Sequence, residues 1–219
     1  MFRSKSFNIH QPLASGSLTR TQSFSGKWPS SVNIRKSIVI KEVSPEEASN
    51  AMTTVKANMR NNDWECFFYS ANYDSEKEKW NSRFTEARSI LGDILINAKL
   101  RTKESEVSFF VAYFRGVPIG GLQLSPRDNN LPDFPKVNYL ATHCGIRGCG
   151  VLLIEQAVNK SQQLGKRGSL KLKPLPEARP AYMEMGFVEK EFHMELHPIE
   201  RNDKWKYDGA TKTYRYKFN

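Results

Sequence analysis

Acidic residues are missing from the first 41 positions of this 219-residue chain. Arg3, Lys5, Arg20, Lys27, Arg35, Lys36 and Lys41 stand there without one Asp or Glu, so seven of the ten net positive charges arise in this stretch. Such a balance favours acidic partners: nucleic acid, anionic lipid or the phosphates of a cofactor. Long apolar runs are also missing. None approaches the roughly 18 residues of a membrane span, which reads as a soluble protein. Cysteine is scarce, with Cys66, Cys144 and Cys149 forming an odd set without metal spacing; that argues against a disulfide framework and for a reducing compartment. The histidines His10, His143, His193 and His197 do not combine with carboxylates at ligand spacing, so no metal is expected.

What is present first is a tail. Residues 1–36 are basic, Ser-rich and without an apolar period, which predicts disorder, and residues 37–219 read as one folded domain. The tail lacks the apolar core of a secretory signal peptide. Three readings compete: a basic extension with no address and a cytoplasmic protein, an organellar transit peptide, and a secretion signal. The last is preferred, because the tail resembles the polar, Ser- and Asn-containing signals of bacterial type III effectors, which implies export into a host cell.

No internal repeat is visible beyond the tail. Residues 36–43 alternate as a first strand, and a helix starts after Ser44 as N-cap, with Pro45 at the first position and Glu46 and Glu47 in the first turn. In the next helix Trp80, Phe84, Ala87, Ile90, Leu91, Ile94 and Leu95 recur at three and four, making one apolar face. The period then shortens. "EVSFFVAYFRGVPIGGLQLS" predicts two strands around an Arg115-Gly116 turn, with Val107, Phe109, Val111 and Tyr113 on one side of the first. "KVNYLATH" predicts a further strand.

That strand runs into "HCGIRGCGVLLIEQAV". Glycines at a strand-to-helix turn let backbone N–H groups converge, and the helix beginning near Val151 and ending at Gly165 adds the positive end of its dipole, which makes a cradle for phosphate. Ordinary turn chemistry explains the same glycines. A dinucleotide fingerprint does not fit, because "GSLKLKP" carries no acidic residue at its strand tip. Nor does a P-loop, because Gly150 is followed by Val151 and Leu152.

In context this segment resembles the GNAT-type N-acetyltransferase family, in which a bulged strand precedes a Gln/Arg-x-x-Gly-x-Gly/Ala turn. Gly148 and Gly150 stand at the two glycine positions and Leu153-Ile154 at the paired apolar ones; Gly145 takes the place usual for Gln or Arg, with Arg147 two residues on. "FFVAYFRGVPIGGLQL" is similar to the family's second and third strands, with Gly120 or Gly121 beginning the third. "GKRGSLKLKP" is similar to the fifth, and "ARPAYMEMGF" to its Tyr-x-x-x-Gly-Phe close, in which Tyr182, Gly186 and Phe187 are in register.

The resemblance implies an α/β (α+β) fold: a mixed, mostly antiparallel twisted sheet, splayed at its centre, with helices on both faces and acetyl-coenzyme A (acetyl-CoA) in the splay. It implies that Gly145, Ile146, Arg147, Gly148, Cys149, Gly150 and Val151 hold the pyrophosphate and that Leu140 and Ala141 pair with the pantetheine arm. The Leu140 N–H would polarise the thioester carbonyl and Tyr182 would protonate the leaving thiolate. The base is open: His143 is one candidate, with Glu42, Asp133, Glu191 and His193 as others. Trp64, Phe67, Phe68 and Tyr69, in the aromatic stretch between the first helices, are placed at the acceptor site, although core packing explains them as well. The acceptor is expected to be a primary amine on a protein, a lysine or an N-terminus, ahead of aminoacyl-tRNA or a small amine. Gly145 favours one alternative, a non-catalytic coenzyme A-binding module; the basic tail favours another, a nucleic-acid-binding protein whose affinity falls steeply with salt.

Two further segments carry expectations. Cys149, at a helix start, reads as a turn residue that alkylates readily. In "KWKYDGATKTYRYKFN", Asp208-Gly209 signals a hairpin, and Tyr214, Tyr216 and Phe218 alternate with basic residues. That pattern suits stacking on single-stranded nucleic acid, but one face packed on a core is the preferred reading.

Overall fold

A computed structural model describes residues 34–61, 75–100, 106–127, 133–146 and 148–218. The expectations for the tail up to residue 33, and those for Trp64, Cys66, Phe67, Phe68, Tyr69 and Arg147, lie outside the described residues. Within them no helix is long and apolar enough to cross a membrane.

The chain begins with a single helical turn, α1 (Ile34–Ser37), then strand β1 (Ile38–Val43), and two helices, α2 (Pro45–Asn61) and α3 (Ser75–Leu100). Three antiparallel strands follow, β2 (Ser108–Phe114), β3 (Val117–Ser125) and β4 (Lys136–Thr142). Helix α4 (Cys149–Gln163) crosses to β5 (Leu170–Leu172), which lies parallel to β4. The chain closes with α5 (Arg179–Glu184), β6 (Val188–Glu189), β7 (Met194–Leu196) and a hairpin of β8 (Trp205–Asp208) and β9 (Thr213–Tyr216). The main sheet has the order β1-β2-β3-β4-β5-β7-β6 and is antiparallel except at β4–β5.

Local chemistry accounts for these elements. Ser44 Oγ accepts the Glu47 N–H at 3.1 Å, capping α2 as expected. The β2–β3 turn has Arg115 at φ 49° and Gly116 at φ 81°, the pair of positive values whose twist matches that of the flanking strands. Strand alternation sorts β2 between two cores. Phe109 and Val111, with Val107 and Tyr113 beside them, join α2 and α3, whereas Phe110 and Ala112 face α4. The sheet is therefore covered on both faces.

Helix α4 is buried well beyond one stripe, including Val151, Leu152, Leu153, Ile154, Ala157 and Val158. The reason lies in the last hairpin. β8 and β9 form their own two-stranded sheet, and Trp205 and Tyr214 complete the core around α4. The packing reading of the C-terminal segment holds for these residues, but the turn is longer than the Asp208-Gly209 signal implied. Asp208 pairs with Thr213, and residues 209–212 connect them.

Candidate active site

β4 and β5 are in register only at Lys136↔Lys171 and Val137↔Leu172. Beyond that point β4 continues through residues 138–142 beside β3 alone, with a bulge that leaves Asn138 outside the β3 register. The His143 N–H donates to the Ile119 carbonyl at 2.7 Å. Alternation along the strand then turns the N–H groups of Leu140 and Thr142 away from β3, toward the opening. The sheet is thus splayed where the resemblance placed the splay, and it offers an unpaired strand edge there.

A cleft of about 1040 Å³ occupies the opening. Leu140, Ala141, His143, Gly148, Gly150 and Tyr182 all line it, so strand end, glycine turn and phenol meet in one place. Ile146 and Val151 line it as well. Gly145 is buried behind them and donates its N–H to His143 Nδ1 at 3.2 Å.

The glycine turn has the form of an anion cradle. Gly148 is the N-cap of α4 at φ 76°, a conformation that glycine adopts without strain, and no side chain caps the helix. The first turn contains no acidic residue, and its N–H groups have no partners within the helix. A Cβ placed on Gly150 would meet only Leu140 Cδ2, at 3.6 Å. The space above Gly150 is cleft, not protein. These features fit a diphosphate at the helix start.

Burial sets the chemistry of three side chains. It pushes the Tyr182 phenol up to about 12, so the hydroxyl keeps its proton throughout the neutral range. The ring packs edge-on against Phe187, centroids 5.5 Å apart. Burial lowers the His143 imidazole to about 4. It is neutral at pH 7, and since Nδ1 accepts from Gly145, Nε2 carries the proton. His143 therefore stands at the cleft as expected, but as a weak base whose acceptor nitrogen is already engaged. Cys149 is wholly buried and its thiol is pushed up to about 12. The expectation of ready alkylation is corrected: the side chain points into the core, where burial outweighs the helix dipole.

The other base candidates do not line the cleft. Glu42 binds Lys160 Nζ at 2.7 Å and Asp133 binds Lys166 Nζ at 2.7 Å. His193 Nε2 donates to Glu195 Oε1, on β7, at 2.7 Å. In their place the structure brings in residues that the sequence reading missed. Helix α3 presents Lys79, Ser82, Glu86 and Ile90 to the cleft, a helical stripe hidden in sequence because its first half is polar. Tyr216 and Phe218 line it from the C-terminal hairpin. Among the described residues no His, Cys, Asp and Glu group is arranged to hold a metal ion.

No protein-family model matches the sequence, and no curated protein matches it. Solved structures with similar folds include the PaiA N-acetyltransferase of Thermoplasma acidophilum in complex with coenzyme A, at 16% identity over 73% of this chain and 98% of that one, TM-score 0.44. A mutant spermidine N-acetyltransferase from Vibrio cholerae is 17% identical over 77% and 98%, TM-score 0.42. A GNAT-family acetyltransferase from Brucella melitensis in complex with acetyl-CoA is 20% identical over 73% and 86%, TM-score 0.41.

Proposed function

We propose that the chain is a GNAT-type N-acetyltransferase that moves an acetyl group from acetyl-CoA to a primary amine. The observation that carries this reading is the meeting, in one cleft, of an unpaired β4 edge, an uncapped glycine start of α4 and a protonated Tyr182. Bound acetyl-CoA would supply an acetyl thioester open to attack by an amine.

Each part of the cleft has a separable task. The N–H groups of the first turn of α4 bind the diphosphate, with Gly148 and Gly150 keeping side chains out of its way. The open edge at Leu140 and Thr142 accepts an extended chain as an added strand would. The Leu140 N–H is aimed at the opening, where it stabilises negative charge on an oxygen without reorganising. Tyr182 keeps its proton and would offer it as a hydrogen bond to the thioester sulfur of bound acetyl-CoA. With the phenol at about 12 against about 8.5 for a thiol, its contribution would be that hydrogen bond more than outright proton transfer. His143 orders the glycine turn through Nδ1 and is not assigned as the base.

The acceptor is best read as an amine on a protein. Glu78 and Glu86 share the α3 wall with Lys79 and Arg83, a mixed lining that suits a peptide better than a polyanion such as tRNA. Steady-state kinetics of Tyr182→Phe test the chemistry. Turnover should fall by roughly an order of magnitude or more while coenzyme A affinity stays within about twofold. Equal losses in both, or none in either, would remove Tyr182 from the mechanism.

A further inference from the structure

Helix α5, which carries Tyr182, cannot hold its own position. It has six residues, no side-chain cap and only partial burial, at Tyr182 above all, and a helix that short has no independent stability. Tyr182 and Met185 pack against the core around α4, and beyond that packing two hydrogen bonds tie the end of the helix to the C-terminal hairpin and, through it, to an ion pair on α4.

Glu155 lies in the second turn of α4, 6% exposed. Arg35 grips it from two sides, Nη1 to Oε1 and Nη2 to Oε2, both 2.5 Å. Glu155 Oε2 also accepts the Tyr216 N–H at 2.7 Å, and Arg35 Nη2 donates to the Tyr216 carbonyl at 2.6 Å. One helical turn on, Asn159 treats Tyr214 the same way: Oδ1 accepts its N–H at 2.7 Å and Nδ2 donates to its carbonyl at 3.1 Å. The outer edge of β9 is thus paired by side chains of a helix instead of by a strand. From the hairpin fixed in this way two hydrogen bonds reach α5. Trp205 Nε1 donates to the Met185 carbonyl at 2.8 Å, and the Tyr216 hydroxyl to the Glu184 carbonyl at 3.2 Å. Those carbonyls follow Tyr182 by three and two residues.

We propose that Arg35 and Glu155 are positioning residues, which through the β8–β9 hairpin hold Tyr182 at a set distance from the glycine start of α4. The inference rests on the acetyltransferase reading, because it assigns the pair an effect on that reaction. Arg35 does not itself line the cleft; it meets two residues that do, Tyr216 through its carbonyl and Phe218 through its ring, over which the guanidinium lies at 5.0 Å.

The test is a double-mutant cycle in the full chain, with turnover, acetyl-CoA KM and coenzyme A affinity measured together. Tyr216→Phe keeps the ring and both backbone hydrogen bonds and loses only the link to Glu184. It should lower kcat about threefold to tenfold with affinity within about twofold. Arg35→Gln should lower kcat further, and Arg35→Lys should recover part of that loss. In a Tyr182→Phe background neither Tyr216→Phe nor Arg35→Gln should cost anything more, because the group they position is gone. Should Arg35→Gln fail to fold, Tyr216→Phe completes the same cycle. Additive losses, an unchanged kcat, or parallel falls in kcat and affinity would overturn the inference while leaving the acetyltransferase reading in place. Absence of coenzyme A binding by the unsubstituted chain would overturn that reading, and this inference with it.

Discussion

Burial decides what the individual side chains of this cleft can do, and two of them carry measurable consequences. The folded imidazole of His143 stays neutral down to about pH 4, whereas the unfolded chain takes up a proton near 6.5. Between those values the unfolded state binds more protons, so stability is present above about 6.5 and drains away as pH falls toward 4, by roughly 3 kcal/mol in full. Denaturant unfolding at several pH values should show this slope, and His143→Gln should flatten it. A variant with the original slope would mean that the loss of stability in acid arises elsewhere. For Cys149 the prediction is kinetic. Its peptide should stay unlabelled by iodoacetamide in the native protein and label fully in urea, because the thiol is buried and its ionisation suppressed. Rapid native labelling, read by mass spectrometry, would show that the α4 start opens.

The elements show which parts of the site sequence can reveal. The Ser44 cap, the two-sided β2 and the Arg115-Gly116 turn depend on neighbours within a few residues, and each was legible. So was the glycine start of α4. Gly120 shows the limit. A Cβ there would meet the Ala141 carbonyl oxygen at 2.8 Å and Thr142 Cα at 2.9 Å, so the glycine exists to let β3 approach the open end of β4. From sequence it is only a glycine at a strand start, because the crowding atoms belong to Ala141 and Thr142 on the next strand. Gly120→Ala must push β4 toward the opening. We expect a loss of about 1–3 kcal/mol in stability together with weaker coenzyme A binding; unchanged stability would mean that β4 yields without cost. The stripe of α3 that faces the cleft was hidden for a different reason. Its polar first half carries no apolar period, so nothing marked Ser82 or Glu86 as pointing inward.

The whole molecule depends on contacts that no local pattern records. Arg35 and Glu155 are 120 residues apart, and neither residue type at either position predicts the other. A tail boundary drawn at residue 36 from composition cuts through α1 (Ile34–Ser37) and separates Arg35 from the body it braces. The C-terminal alternation marks a hairpin, and β8 and β9 form one, yet alternation says which residues share a face and not which element that face meets. Here it meets α4 and replaces a strand partner with Glu155 and Asn159. Titration calorimetry with acetyl-CoA on the full chain and on Gly150→Leu tests whether the cleft holds the cofactor. Since a Cβ on Gly150 has only Leu140 for company, a larger side chain should fill the cleft without disturbing the core. The unsubstituted chain should bind one-to-one on the order of micromolar, and Gly150→Leu should lose that affinity by a factor of about 100 or more at an unchanged melting temperature. Equal binding by both would place the ligand elsewhere, and no binding by either would reduce the glycines to a turn.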